Sequence, residues 1–93
     1  GGISDFTKAI EINPNYAKAY NNRGYAKDAL KDYYGAISDY TKAIEINPNY
    51  ALGFANRGSS KESMGDMQGA CNDWQKASYL GDEEAAKWVG NQC

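Results

Sequence analysis

The sequence predicts an all-α fold: antiparallel helix hairpins stacked on one another as an α-solenoid and closed by a C-terminal capping helix. Three observations predict it. Residues 3–17 read ISDFTKAIEINPNYA and residues 37–51 read ISDYTKAIEINPNYA, a repeat at an offset of 34 residues in which only Phe6 is exchanged for Tyr40. Inside each copy the apolar residues fall at i, i+3, i+4 and i+7, one face of a helix. Asn-Pro then interrupts both copies at the same place, Asn13-Pro14 and Asn47-Pro48. A period of this size marks a supersecondary unit that buries its oily face only by stacking on its neighbours.

The elements follow in chain order. Residues 1–14 read as the second helix of a truncated repeat, with Ile3, Phe6, Thr7 and Ile10 as its stripe. Residues 15–48 form a full repeat. Its first helix starts near Ala17 and runs about 13 residues, or roughly 20 Å. The turn Leu30-Lys31-Asp32 leads to a second helix with the stripe Ile37, Tyr40, Thr41 and Ile44. Residues 49–81 repeat the plan, with a first helix from near Ala51, the turn Met64-Gly65-Asp66 and a stripe of Cys71, Trp74 and Ala77. Short connections of this kind make consecutive helices antiparallel neighbours. Proline pushes the residue before it out of the helical region, and Asn13, Asn15, Asn47 and Asn49 all stand as candidate caps for the helix that follows. In residues 82–93 Gly81 suits a helix stop, Asp82 caps, and Glu83 and Glu84 sit favourably in the first turn. Ala85, Ala86, Trp88 and Val89 give this terminal helix an apolar side that covers the last repeat.

The looser half of the repeat carries further matches: Asn22/Asn56, Arg23/Arg57, Gly24/Gly58, Lys27/Lys61, Asp32/Asp66 and Asp39/Asp73. Counted from Ala17, an aromatic stands at position 4 (Tyr20, Phe54), glycine at 8 (Gly24, Gly58) and alanine at 20 (Ala36, Ala70). An aromatic follows at 24 (Phe6, Tyr40, Trp74), alanine at 27 (Ala9, Ala43, Ala77) and proline at 32 (Pro14, Pro48). This pattern resembles the tetratricopeptide repeat over nearly the whole chain. The resemblance implies a single domain at 1–93 with a right-handed superhelix. Position 7, usually leucine, is Arg23 and Arg57, and position 11, usually tyrosine, is Lys27 and Lys61. Their aliphatic stems are expected to cover apolar surface while the charges reach water.

Composition excludes several functions. A net charge of −2 offers no positive field for a nucleic-acid backbone. No apolar run approaches the roughly 18 residues of a membrane span. No secretory leader is visible in a sequence that starts mid-pattern, so the compartment stays open, with only a weak lean toward the cytoplasm. Histidine is absent, removing the commonest general base and metal ligand, so no cofactor, metal or catalytic residue is expected. Asp28 and Glu62 occupy equivalent slots and offer the one pair of carboxylates that could share a proton, but solvated faces are the better reading. Cys71 and Cys93 are too far apart in sequence for a CxxC pair, yet two antiparallel helices turning at Gly81 would bring them to similar height. Either a disulfide or a buried thiol at Cys71 with a free Cys93 fits; the thiols are preferred.

The expected activity is non-enzymatic protein–protein interaction. In the family implied by the resemblance, the first helix of each repeat lines a concave groove. Here that face carries Lys18, Asn21, Asn22, Tyr25 and Asp28, then Leu52, Ala55, Asn56, Ser59 and Glu62. Asn22 and Asn56 are the leading candidates, because a side-chain amide can both donate to and accept from the backbone of an extended peptide. Tyr25 adds broad amphipathic contact area. Some members of the family clamp a peptide's terminal carboxylate with basic residues on these helices. Leu52 and Asn56 stand where two of those cations would be, so the partner is expected to be held by backbone contacts and packing. The alternatives are a structural spacer within a longer repeat protein, and self-association through the uncovered N-terminal helix.

Overall fold

The computed structural model describes residues 2–93, which form six helices: α1 (Gly2–Ile12), α2 (Ala17–Ala29), α3 (Tyr33–Ile46), α4 (Ala51–Ser63), α5 (Met67–Tyr79) and α6 (Glu83–Gln92). Among the described residues there is no strand, and no helix is long and apolar enough to cross a membrane. The closest packing is within the hairpins α2–α3 and α4–α5, and each helix also packs on its chain neighbour. Beyond those neighbours, α2 also touches α4. The stack measures 39 × 25 × 16 Å.

Two kinds of turn connect the helices. After α2, α4 and α5 the chain passes through a left-handed residue: Lys31 (φ 63°), Gly65 (φ 85°) and Gly81 (φ 107°). In each turn the following aspartate N–H reaches back to a carbonyl five residues earlier, Asp32 to Lys27, Asp66 to Lys61 and Asp82 to Ala77, all at 2.9 Å. The left-handed residue itself donates to Asp28, Glu62 or Ser78. These paired bonds close the exposed carbonyls of the helix end as a Schellman motif. The same aspartates then cap the next helix, accepting from Gly35 N (3.0 Å), Gly69 N (2.9 Å) and Ala85 N (2.9 Å). The expected cap at Asp82 is therefore present, with Glu83 and Glu84 in the first turn of α6.

The Asn-Pro turns behave differently. Asn13 and Asn47 accept from the N–H groups of Asn15 and Asn49 through their side chains, which is an Asx turn. The residues that enter α2 and α4 are Tyr16 and Tyr50, with no side-chain cap bond. No asparagine caps the next helix; these side chains fold the turn instead.

The core runs along the second helices. Ala36, Tyr40, Ala43, Ala70, Trp74, Ala77 and Ala85 are fully buried. Gly24 and Gly58 allow the approach. A β-carbon on Gly24 would lie 2.8 Å from the Tyr40 ring, and one on Gly58 2.6 Å from the Trp74 ring. At the C-terminal end Trp88 of α6 covers Trp74 with ring centroids 5.3 Å apart, and Ala85 and Val89 join that cluster. Ala86, expected on the same side, is exposed because it points away from α5. Cys71 and Cys93 form a disulfide with Cα atoms 5.9 Å apart, so the preferred reading of free thiols is corrected. Sequence spacing fixed their height; the rotation of α6 that turns Cys93 toward α5 comes from packing of Trp88 and Val89.

Candidate functional site

Arg23 and Arg57, expected to send their charges to water, point inward. Arg23 grips the buried Asp39 carboxylate with two bonds of 2.9 and 2.8 Å, and Arg57 grips Asp73 with two of 2.8 Å. Lys27 and Lys61 add a second cation at 3.1 and 3.0 Å. The remaining guanidinium nitrogen of each arginine donates to a threonine on the helix before, Thr7 or Thr41. Each arginine thus ties three helices together. Two bonds in the plane of the fork are the strong geometry for this pair. The Asp39 bond raises the Arg23 guanidinium above its usual value although burial opposes it. Each guanidinium also lies over an aromatic ring one turn earlier, Tyr20 at 5.5 Å and Phe54 at 5.6 Å. These clusters fix how α2 sits on α3 and α4 on α5, and so position the candidate face.

On that face the side chains divide. Lys18, Tyr25 and Leu52 are exposed, Tyr25 to 66% and Leu52 to 47%. Asn22, Asn56, Ser59 and Glu62 are half-buried. Asn21 and Ala55, expected on the open face, are buried at 2% and 3%. Asn21 lies under α4 and accepts a 3.1 Å bond from Asn56 Nδ2. That bond leaves Asn56 with its carbonyl oxygen and joins α2 to α4 beside Asn22. Ser59 bonds back to the Ala55 carbonyl at 3.2 Å, four residues earlier.

Asp28 is not paired with Glu62. It accepts from the Tyr40 hydroxyl at 2.7 Å and from the Ser60 hydroxyl at 2.7 Å, bridging α2, α3 and α4. Burial first, and the Asp28 carboxylate second, push the Tyr40 phenol far above its ordinary range. The sequence reading missed Ser60 and the Tyr40 hydroxyl; the available signal was Ser60 in the slot of Ala26. Among the described residues no group of acidic or cysteine side chains is arranged to hold a metal.

Stacked helical hairpins with a recurring inter-helix clamp define the class: an α-solenoid of two-helix repeats. Residues 17–50 match the family model described as tetratricopeptide repeat, and the six-helix fold is the one that tetratricopeptide-repeat domains adopt. The Arabidopsis OM64 tetratricopeptide-repeat domain is similar at 27% identity and TM-score 0.88, over 98% of this chain and 79% of that one. The second such domain of human RPAP3, in complex with the HSP70 peptide SGPTIEEVD, matches at 26% identity and TM-score 0.87, over 96% and 76%. The first domain of Spaghetti (RPAP3), bound to the HSP90 peptide SRMEEVD, shares the fold at 24% identity and TM-score 0.89, over 96% and 72%. No curated protein sequence matches the chain significantly.

Proposed function

We propose that the chain is a non-enzymatic interaction scaffold that binds an extended segment of a partner protein along the face shared by α2 and α4. Residues 15–48 and 49–81 are the two full repeats on this reading, and 82–93 the cap. The carrying observation is the hydrogen bond from Asn56 to Asn21. It holds the two helices together while leaving Asn22 and the Asn56 carbonyl to meet a peptide backbone, flanked by exposed Tyr25, Leu52 and Lys18. The bound peptides of the two RPAP3 domains support the class of ligand. Leu52 and Asn56 supply no cation for an acidic tail, so the preferred segment is less acidic than those peptides, held by amide pairing and contact with Tyr25 and Leu52.

Selection of the chain against a peptide library, followed by titration of the variants, tests this. Asn22→Ala is expected to weaken the selected peptide about tenfold, a loss of about 1.4 kcal/mol. Asn21→Ala, which touches only the inter-helix bond, should change binding far less. Unchanged affinity in Asn22→Ala, or failure to select any peptide, would remove the assignment and leave the chain as a spacer.

A further inference from the structure

Two joints of the stack occupy equivalent places and are fastened by different chemistry. Where α4 meets the helices before it, Arg57 donates to Thr41 on α3 at 3.2 Å and Asn56 donates to Asn21 on α2 at 3.1 Å. Where α6 meets α5 and α4, Asn91 and Gln75 stand in the slots of Arg57 and Thr41, and Gly90 and Ala55 in those of Asn56 and Asn21. Asn91 and Gln75 are both exposed, and glycine and alanine carry no polar side-chain atom. Among the described residues the Asp82 cap starts α6, but no side-chain hydrogen bond ties it to α4 or α5.

One covalent bond stands in their place. Cys93 occupies the slot of Ser59 and Cys71 that of Ile37, and the disulfide between them fastens the C-terminal end of α6 near the start of α5. The rest of the contact is apolar. Ala85 is fully buried, Trp88 and Val89 are half-buried, and Gly90, Asn91 and Gln92 are exposed. A helix of ten residues does not keep its shape alone in water, where even about 12–15 residues are marginal. The two sulfurs also differ in access: Cys93 is exposed and Cys71 half-buried.

We propose that the Cys71–Cys93 bond is a redox latch: exchange with a dithiol frees α6 from α5 while α2–α5 stay folded, and so withdraws the α6 end of the candidate face. A thiolate of the dithiol attacks Sγ of Cys93, forming a mixed disulfide and expelling the Cys71 sulfur as a thiolate. The second thiol of the reductant then attacks the sulfur of the first and expels the Cys93 thiolate. The reductant leaves as a disulfide, its two electrons and two protons now on Cys71 and Cys93. Both arginine clusters, the Asn56–Asn21 bond and the Ser60–Asp28 bond remain, since none includes a residue of α6. α6 carries the candidate face one helix further, with exposed Ala86 in the slot of Lys18 and Leu52 and exposed Gly90 in that of Asn22 and Asn56. The effect on that face rests on the peptide-binding reading above; the release of α6 does not.

The test compares the oxidised chain, the chain reduced with dithiothreitol, and Cys93→Ser. Amide hydrogen exchange and the emission of the two tryptophans, Trp74 and Trp88, are the readouts. Reduction is expected to lower protection over residues 85–92 about a hundredfold, the effect of losing the constraint on a loop of this length, while α2–α5 keep theirs. Emission moves to longer wavelength as Trp88 enters water. Cys93→Ser reproduces both changes without reductant and does not respond to it, and reoxidation of the parent chain reverses them. A peptide selected on the oxidised chain should bind the reduced chain about tenfold more weakly. A bond that resists dithiothreitol in the folded chain, a reduced chain with α6 still protected, or protection lost over α2–α5 together with α6 would each overturn the latch. Equal peptide affinity with α6 released would overturn its effect on the face. Failure to select any peptide removes the preceding reading, while the exchange pattern still decides the latch.

Discussion

The hairpins α2–α3 and α4–α5 share a frame and differ in filling. The frame is the arginine–aspartate–lysine cluster, the glycine facing an aromatic and the aspartate cap, each present twice, with cluster and cap distances that agree within 0.1 Å. The filling is Tyr40 in one and Trp74 in the other. Tyr40 lies between two first helices and its hydroxyl finds Asp28. Trp74 lies between α4 and α6, gains the ring of Trp88, and leaves its buried Nε1 without a hydrogen-bond partner among the described residues. Even the turns differ, with Lys31 in the left-handed conformation that Gly65 adopts without steric cost. The residues that recur therefore set the repeat geometry, and those that change match each hairpin to the helix that follows it.

The largest effect should come from breaking the frame. Arg57→Met leaves Asp73 buried with one cation, and Arg23→Met does the same to Asp39. Each is expected to cost about 3 kcal/mol, since a buried carboxylate loses two charge-assisted bonds. Urea denaturation of both variants should give losses equal to within about 0.5 kcal/mol, the usual scatter between independent sites. A large inequality would mean that the two clusters, alike in geometry, are not alike in energy.

Next in size is the glycine contact. Gly58→Ala places a β-carbon 2.6 Å from the Trp74 ring and 3.1 Å from the Ala70 carbonyl; Gly24→Ala meets the Tyr40 ring at 2.8 Å. Neither ring has room to move, since both are fully buried. Overpacking of this kind costs about 1–3 kcal/mol, partly offset by the better helix propensity of alanine, worth about 1 kcal/mol. Thermal or urea unfolding should therefore show a net loss for both, larger at Gly58. An order reversed in favour of Gly58 would mean that the tryptophan hairpin is the looser one.

Helix identity and turn position were legible because proline, glycine and aspartate act locally. Gly81 and Asp82 specify a stop and a start whatever surrounds them. The clusters were visible as recurring departures, Arg23 with Asp39 and Arg57 with Asp73, but they were read one residue at a time. Two unusual residues repeating together at a fixed separation were the signal for a pair. The open face was less legible. A helical stripe cannot say on which side the next helix lies, so Asn21 was placed in solvent although α4 covers it; Ala55 in the equivalent slot was the hint. The disulfide depended on the rotation of α6, which no spacing encodes. How α2 presents Asn22 was legible only as a position on the helix.

The smallest expected effect separates the two fillings. Tyr40→Phe removes the hydroxyl that binds Asp28, while Ser60 still serves that carboxylate. A loss of about 1 kcal/mol at pH 7 follows for one hydrogen bond. Its pH dependence identifies the cause. Burial, then the Asp28 carboxylate, raises the folded phenol, while the unfolded one titrates near its ordinary value of about 10. Below that value both states keep the proton and the contribution is constant. Above it the unfolded state ionises alone and binds fewer protons, so stability falls as pH rises, by at most about 1.4 kcal/mol per unit. The gap between the parent chain and Tyr40→Phe, measured by urea denaturation, should therefore close by about pH 11, the other tyrosines acting alike in both. Trp74→Phe changes no titrating group, so its gap from the parent should stay level across the same range; a gap that closed there too would erase the distinction between the hairpins.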